Sequence, residues 1–142
     1  MRSLLDVNVL IALLDPDHTL HEPAVNWFTA HARSGWASCP LTQNGCVRIM
    51  SNPAYPNALP TEAVIRRLAE ACRSAVHEFW PADLSLLDTR VASPSRILSS
   101  RQITDLYLLG LAVAHKGRFV SFDKGIALEA IVGATPHHLL TL

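Results

Sequence analysis

The sequence predicts an α/β fold in which a parallel sheet is covered by helices on both faces. Three observations carry that prediction. Short, mostly apolar stretches alternate with longer helical ones along the whole chain, the pattern of repeated strand–helix units. The first stretch, Leu4-Leu5-Asp6-Val7-Asn8-Val9-Leu10, runs from a buried strand directly into an apolar helix and leaves Asp6 at the junction. Two acids, Asp6 and Asp123, fall at the carboxyl ends of strand candidates, where open α/β sheets collect their functional groups.

Taken in order, Arg2 to Asp6 reads as the first strand and Val7 to Leu14 as a helix stopped by Asp15-Pro16-Asp17. Asp6 also has a plainer reading, as a side-chain cap on that helix. His18 and His21 are three residues apart with no third ligand near, so they read as surface or cap histidines. His21 to Ser34 is an amphipathic helix with Ala24, Val25, Trp27, Phe28 and Ala32 mostly on one side, ended by Gly35. Trp36 to Cys39 is a short strand. Pro40 suits a helix start, and Leu41 to Met50 is the helix, carrying Thr42, Gln43, Asn44 and Arg48 among its apolar residues.

Ser51 to Pro60 is a turn-rich loop whose Tyr55 and prolines fit either a recognition loop or a rigid connection. Thr61 to Ser74 is a helix capped by Thr61, His77 to Trp80 a strand, and Leu84 to Val91 a helix. Ile103-Thr104-Asp105 opens the most apolar helix, Leu106 to His115. There Thr104 is a good N-cap, and an acid in the first turn opposes the positive helix end, which is the structural reading of Asp105. Arg118 to Phe122 is a strand ending at Asp123, Ile126 to Ile131 a short helix, and His138 to Leu142 a last strand.

With 142 residues, no internal repeat and no linker, the chain reads as one domain over 1–142. A formal net charge of zero lacks the positive excess usual in proteins that bind nucleic acid through a broad basic face, so a polyanion would be met by a local basic patch, metal ions or a second subunit. Cys39, Cys46 and Cys72 have no CxxC spacing and read as reduced buried thiols rather than a zinc site or disulfide framework. No signal-peptide pattern opens the chain, and Leu106 to Ala114 falls short of the ~20 apolar residues that span a bilayer. The reading is a cytoplasmic protein with no membrane partner.

If the strands before Asp6 and Asp123 are neighbours, Asp105 can join both acids in one pocket. Three such carboxylates repel unless protons or cations neutralise them, and all-oxygen donors suit Mg²⁺ or Mn²⁺. The chemistry implied is phosphodiester hydrolysis by an activated water.

At this point the sequence resembles a known family. Leu5-Asp6-Val7-Asn8-Val9-Leu10, Pro40-Leu41-Thr42-Gln43-Asn44-Gly45 with Arg48, Thr104-Asp105 and Ser121-Phe122-Asp123 look like the PIN domain. More narrowly they are similar to the VapC ribonuclease toxins of VapBC toxin–antitoxin systems. Trp36 to Pro40 and Phe79 to Asp83 resemble a mycobacterial-type subgroup. The resemblance covers nearly the whole chain. It implies a three-layer α/β/α sandwich around a parallel sheet of about five strands, and a Mg²⁺-dependent endoribonuclease (Mn²⁺ being a second candidate). It also implies a homodimer and a VapB-type antitoxin partner. Asp6, Asp105 and Asp123 match the family's first, third and fourth metal-binding acids, Ser121 the hydroxyl beside the fourth, and Asn8 the polar residue that steadies the first. The second acid falls on Gln43, an amide without charge; Asn44 and Glu78 are the substitutes the sequence offers.

Three other classes compete, one of them a phosphoacceptor receiver domain, which would need a Lys after a late strand, whereas Lys124 directly adjoins Asp123. A PIN-like module could have kept RNA binding or a regulatory role and lost catalysis through Gln43. A haloacid-dehalogenase-type phosphatase has a similar opening, but its chemistry wants a second acid two residues after the nucleophile, where this chain has Asn8. The apolar Leu106 to Ala114 helix also suggests more buried surface than one small domain supplies, again pointing to a homodimer.

Overall fold

A computed structural model describes all residues, 1–142. Five short strands, β1 (Ser3–Leu5), β2 (Trp36–Ser38), β3 (His77–Phe79), β4 (Arg118–Ser121) and β5 (Leu139–Thr141), form one sheet in the order β3-β2-β1-β4-β5. Every neighbouring pair is parallel, with Leu4 opposite both Ala37 and Phe119. The helices are α1 (Val7–Leu14), α2 (His21–His31), α3 (Pro40–Met50), α4 (Thr61–Cys72) and α5 (Ile103–Ala114).

Alternation along β1 divides the core into two layers. Leu4 belongs to the cluster of Trp80, Leu106, Leu108, Leu109, Leu111 and Phe119, centred on α5. Leu5 belongs to the opposite cluster, with Val9, Leu10, Cys46, Val64 and Leu68 from α1, α3 and α4. The result is the three-layer α/β/α sandwich with a five-stranded parallel sheet that the sequence predicts. No helix is long and apolar enough to cross a membrane.

The strand order reverses direction between β1 and β4, the first strand lying centrally with β2 on one side and β4 on the other. This switch point is where a doubly wound sheet leaves a crevice. Gly117, just before β4, shows how tightly the opposite edge of these strands is packed. A Cβ there would stand 2.7 Å from both the Arg2 carbonyl oxygen and the edge of Trp80. Gly117→Ala is expected to lower stability by about 2 kcal/mol through overpacking, measured as a lower midpoint in denaturant unfolding.

Four sequence expectations need correction. Leu84 to Val91 is a run of turns, not a helix: Leu87 N–H donates to Ser85 Oγ and Arg90 N–H to Asp88 Oδ1, local bonds that replace the helical ladder. Of Ile126 to Ile131 only Leu128–Ala130 forms a single 3-10 turn. Thr61 begins α4 but does not cap it; Pro60 holds that position without a side-chain bond. Thr104 does not cap α5, because a 3-10 turn over Ser100–Gln102 runs straight into the helix and puts Thr104 inside it.

The Ser51 to Pro60 loop is tied to the chain around it by hydrogen bonds. Tyr55 donates its hydroxyl to Asp15, and Leu59 N–H returns to the Met50 carbonyl at 3.1 Å. His21 and His18 serve the chain locally, His21 Nδ1 meeting the Ala12 carbonyl at 2.7 Å and His18 Nδ1 accepting from Leu20 N–H. The apolar α5 is covered by its own chain, with Leu106, Leu108, Leu109, Leu111 and Ala112 all fully buried. Its composition is therefore accounted for within one copy.

Candidate acid site

Asp6 follows β1 directly and occupies the N-cap of α1, where its Oδ1 accepts from Val7 N–H at 2.7 Å. Its other oxygen accepts from Ser121 Oγ, at the end of β4, at 2.6 Å. The cap reading and the site reading therefore describe the same side chain. Only 6% of Asp6 is exposed, and burial pushes its carboxyl above the usual range. The Ser121 and Val7 hydrogen bonds pull it back, and the charge of Asp123 adds to the rise.

Ser121 links two acids. While donating to Asp6, its hydroxyl accepts from the backbone N–H of Asp123 at 3.0 Å. Asp123 stands exposed just past β4, and its Oδ1 accepts from Gly125 N–H at 2.7 Å. Asp105 enters from the first turn of α5. Its carboxyl is raised to about 6, chiefly by burial and then by the charges of Asp6 and Asp123. The three acids that the sequence picks out thus interact across the β1/β4 switch point.

The supporting residues divide. Asn8 is exposed on α1 and makes no hydrogen bond to Asp6, which is steadied by Ser121 and the Val7 amide. Thr104 is exposed in the first turn of α5. Gln43 reaches Ser38 at the end of β2, its Nε2 donating to Ser38 Oγ at 2.9 Å, and Ser38 Oγ in turn meets His77 Nε2 at 2.8 Å. Asn44 is exposed and, with Gln43, Arg48 and Arg73, lines a cavity of about 720 Å³ between α3 and α4. Glu78 is paired to Arg2 at 2.8 Å.

Do these residues suit a divalent cation? No group of three His, Cys, Asp or Glu side chains stands at metal-ligand spacing. What the site offers is donor type and charge: carboxylate oxygens only, each acid raised or adjoining one that is, so that a doubly charged cation would relieve their repulsion. In that chemical sense the residues fit, without a pre-closed cage.

Interacting acids gathered at the switch point of a five-stranded parallel sheet define an acid-centred α/β fold, and comparison with known proteins agrees. The PIN domain model matches residues 3–130. Ribonuclease VapC44 of Mycobacterium tuberculosis is 55% identical over 142 residues, all of both chains. Ribonuclease VapC39 of the same species is 41% identical over 94% of this chain and 96% of its own. Among solved structures, the sarcin-ricin-loop-cleaving toxin VapC20 of M. tuberculosis superposes with a TM-score of 0.60 at 14% identity, covering 94% of this chain and 99% of that one. VapBC2 of Rickettsia felis, solved on a DNA fragment of its promoter, gives 0.59 at 12% identity, covering 88% of this chain and 90% of that one. The chain belongs to the PIN domain family, among the VapC ribonucleases.

Proposed function

We propose that this chain is a Mg²⁺-dependent endoribonuclease, the toxin of a VapBC-type pair, with Asp6, Asp105 and Asp123 as its metal-binding and catalytic acids. The observation that carries the proposal is the hydrogen-bonded line from Asp6 through Ser121 to Asp123, with Asp105 electrostatically coupled to both. Relatives named as ribonucleases support RNA as the substrate, and VapC20, a toxin that cleaves the sarcin-ricin loop, supports a structured RNA. The VapBC2 complex supports a VapB-type antitoxin as partner.

A divalent cation, when bound, supplies positive charge for the scissile phosphate and makes water a stronger nucleophile. The chain's own residues set the geometry. Ser121 and the Val7 amide hold both oxygens of Asp6, fixing its orientation before substrate arrives. Gly125 N–H fixes one oxygen of Asp123. Lys124, next to Asp123 in sequence, and Arg101, in the 3-10 turn that leads into α5, have no acidic partner and offer positive charge to an RNA backbone. A homodimer, supported by the family and by exposed Leu87, Leu98 and Ile65, would join two such surfaces. A reducing cytoplasm suits Cys39, Cys46 and Cys72, none of them in a disulfide.

The direct test is cleavage of RNA by purified protein in Mg²⁺, lost in chelator, giving 5′-phosphate and 3′-hydroxyl ends. RNA binding without cleavage would favour the weakened module instead. Gln43 supplies a second test. Its amide holds Ser38, and its carbonyl oxygen makes no hydrogen bond. Gln43→Glu is expected to lower the Mg²⁺ concentration at half-maximal rate and to narrow any Mn²⁺ advantage, because an added carboxylate strengthens a cation's hold. An unchanged midpoint in a folded variant places position 43 outside the metal site.

A further inference from the structure

Asp105 and Asp123 come from separate elements and repel each other, so something must hold their elements together. Ser121 explains the spacing of Asp6 and Asp123 but does not touch α5. The connection to α5 is made by Gln102. This residue occupies the N-cap position of α5, yet its side chain makes no capping bond there. It crosses instead to the loop after β4, where Nε2 donates to the Gly125 carbonyl at 2.6 Å. Gly125 is the residue whose N–H fixes Asp123 Oδ1.

We propose that Gln102 is a positioning residue for the acid site, stapling the start of α5 to the Asp123 loop and so setting the distance between Asp105 and Asp123. Through this one side chain the hydrogen-bonded line becomes continuous, from Asp6 through Ser121, Asp123 and Gly125 to the turn that carries Asp105. Two features separate the staple from an incidental surface contact. The amide reaches a backbone carbonyl 23 residues away, outside its own helix. It also leaves its own Oε1 buried with no hydrogen-bond partner, an arrangement that is unfavourable on its own terms. The amide cannot turn over to relieve this, since Oε1 would then face the Gly125 carbonyl. Thr141 Oγ1 contacts the Asp123 carbonyl at 3.4 Å from the other side, but it ties the loop to β5 and not to α5.

The inference rests on the proposed metal site, and the test separates the two. Gln102→Met keeps the length of the side chain, removes the donor and removes the buried orphan oxygen. Gln102→Glu keeps the shape and sets a carboxylate against the Gly125 carbonyl. Two readouts are taken on each: hydrogen exchange of the Gly125 amide in metal-free protein, and Mn²⁺ affinity by electron paramagnetic resonance. Both variants are expected to exchange the Gly125 amide faster, and Gln102→Met, which adds no charge, to bind Mn²⁺ about 10-fold more weakly, the scale of a lost partner behind a metal ligand. A purely structural role predicts that Gln102→Met matches wild type in Mn²⁺ affinity, and that result overturns the inference while the metal site stands. Absence of Mn²⁺ binding by wild type overturns the metal reading and this inference with it.

Discussion

Asp6→Asn is expected to reduce RNA cleavage by at least about 10³-fold, because it removes a charged oxygen donor from a group that acts as a unit. The fold should survive the change. Asn can still accept from the Val7 amide that Asp6 caps, so α1 keeps its start. The bond from Ser121 loses its charged acceptor, but a carboxylate raised by burial is removed at the same time. The midpoint of thermal unfolding should therefore stay near that of wild type or rise, the pattern of a residue kept for function at the expense of stability. A variant that unfolds early and cleaves poorly would instead mark Asp6 as a cap only.

The second large effect concerns Asp105 and pH. Its carboxyl sits at about 6 in the folded protein, against an ordinary 3.8. A folded-state value above the unfolded one means that the native state holds the proton more tightly. The stabilisation from that proton is complete below the unfolded value and is lost as pH rises through about 6. Metal-free protein should accordingly lose stability, in this contribution, between about pH 4 and about pH 7. Added Mg²⁺ or Mn²⁺ competes with the proton, so it should raise the melting midpoint more at about pH 7.5 than at about pH 5. Asp105→Asn should abolish cleavage, raise metal-free stability at neutral pH, and flatten the pH dependence of the cation effect. Melting curves at the two pH values, with and without cation, check all three. An Asp105→Asn profile that still follows wild type would assign the pH dependence to another group.

Much of this arrangement is legible in the residues. The β1–α1 unit can be read because an apolar strand and an apolar helix meet at one acid, leaving Asp6 nowhere to stand except the junction. Asp123 is visible for the same reason at the end of β4. Asp105 also has a helix-dipole reading on sequence alone, and its coupling to Asp6 and Asp123 supports the site reading beside it. Ser121 is carried only by the family resemblance; a serine before an acid has no pattern of its own.

Other parts are not legible. Leu84 to Val91 has helical spacing, but Ser85 and Asp88 take the backbone bonds that a helix needs. Thr104 looks like a cap because the preceding 3-10 turn leaves no mark in the sequence. Gln102 and the Ser38–His77 pair are invisible for a further reason. Their partners lie 23 and 39 residues away, and the Gln102 partner is a backbone carbonyl that any residue could supply. The excess of apolar residues in α5 suggests a partner surface, whereas the sheet and the chain around Ala92 and Ile131 cover it.

The most direct measurement of the central claim is the anomalous scattering of a crystal grown with Mn²⁺. A manganese peak is expected at the β1/β4 switch point, bonded by Asp6 and by Asp105 or Asp123, and it should be lost in Asp6→Asn. A peak bound elsewhere with the three acids free, or no peak from protein that cleaves RNA, would contradict a metal-dependent acid site at this position.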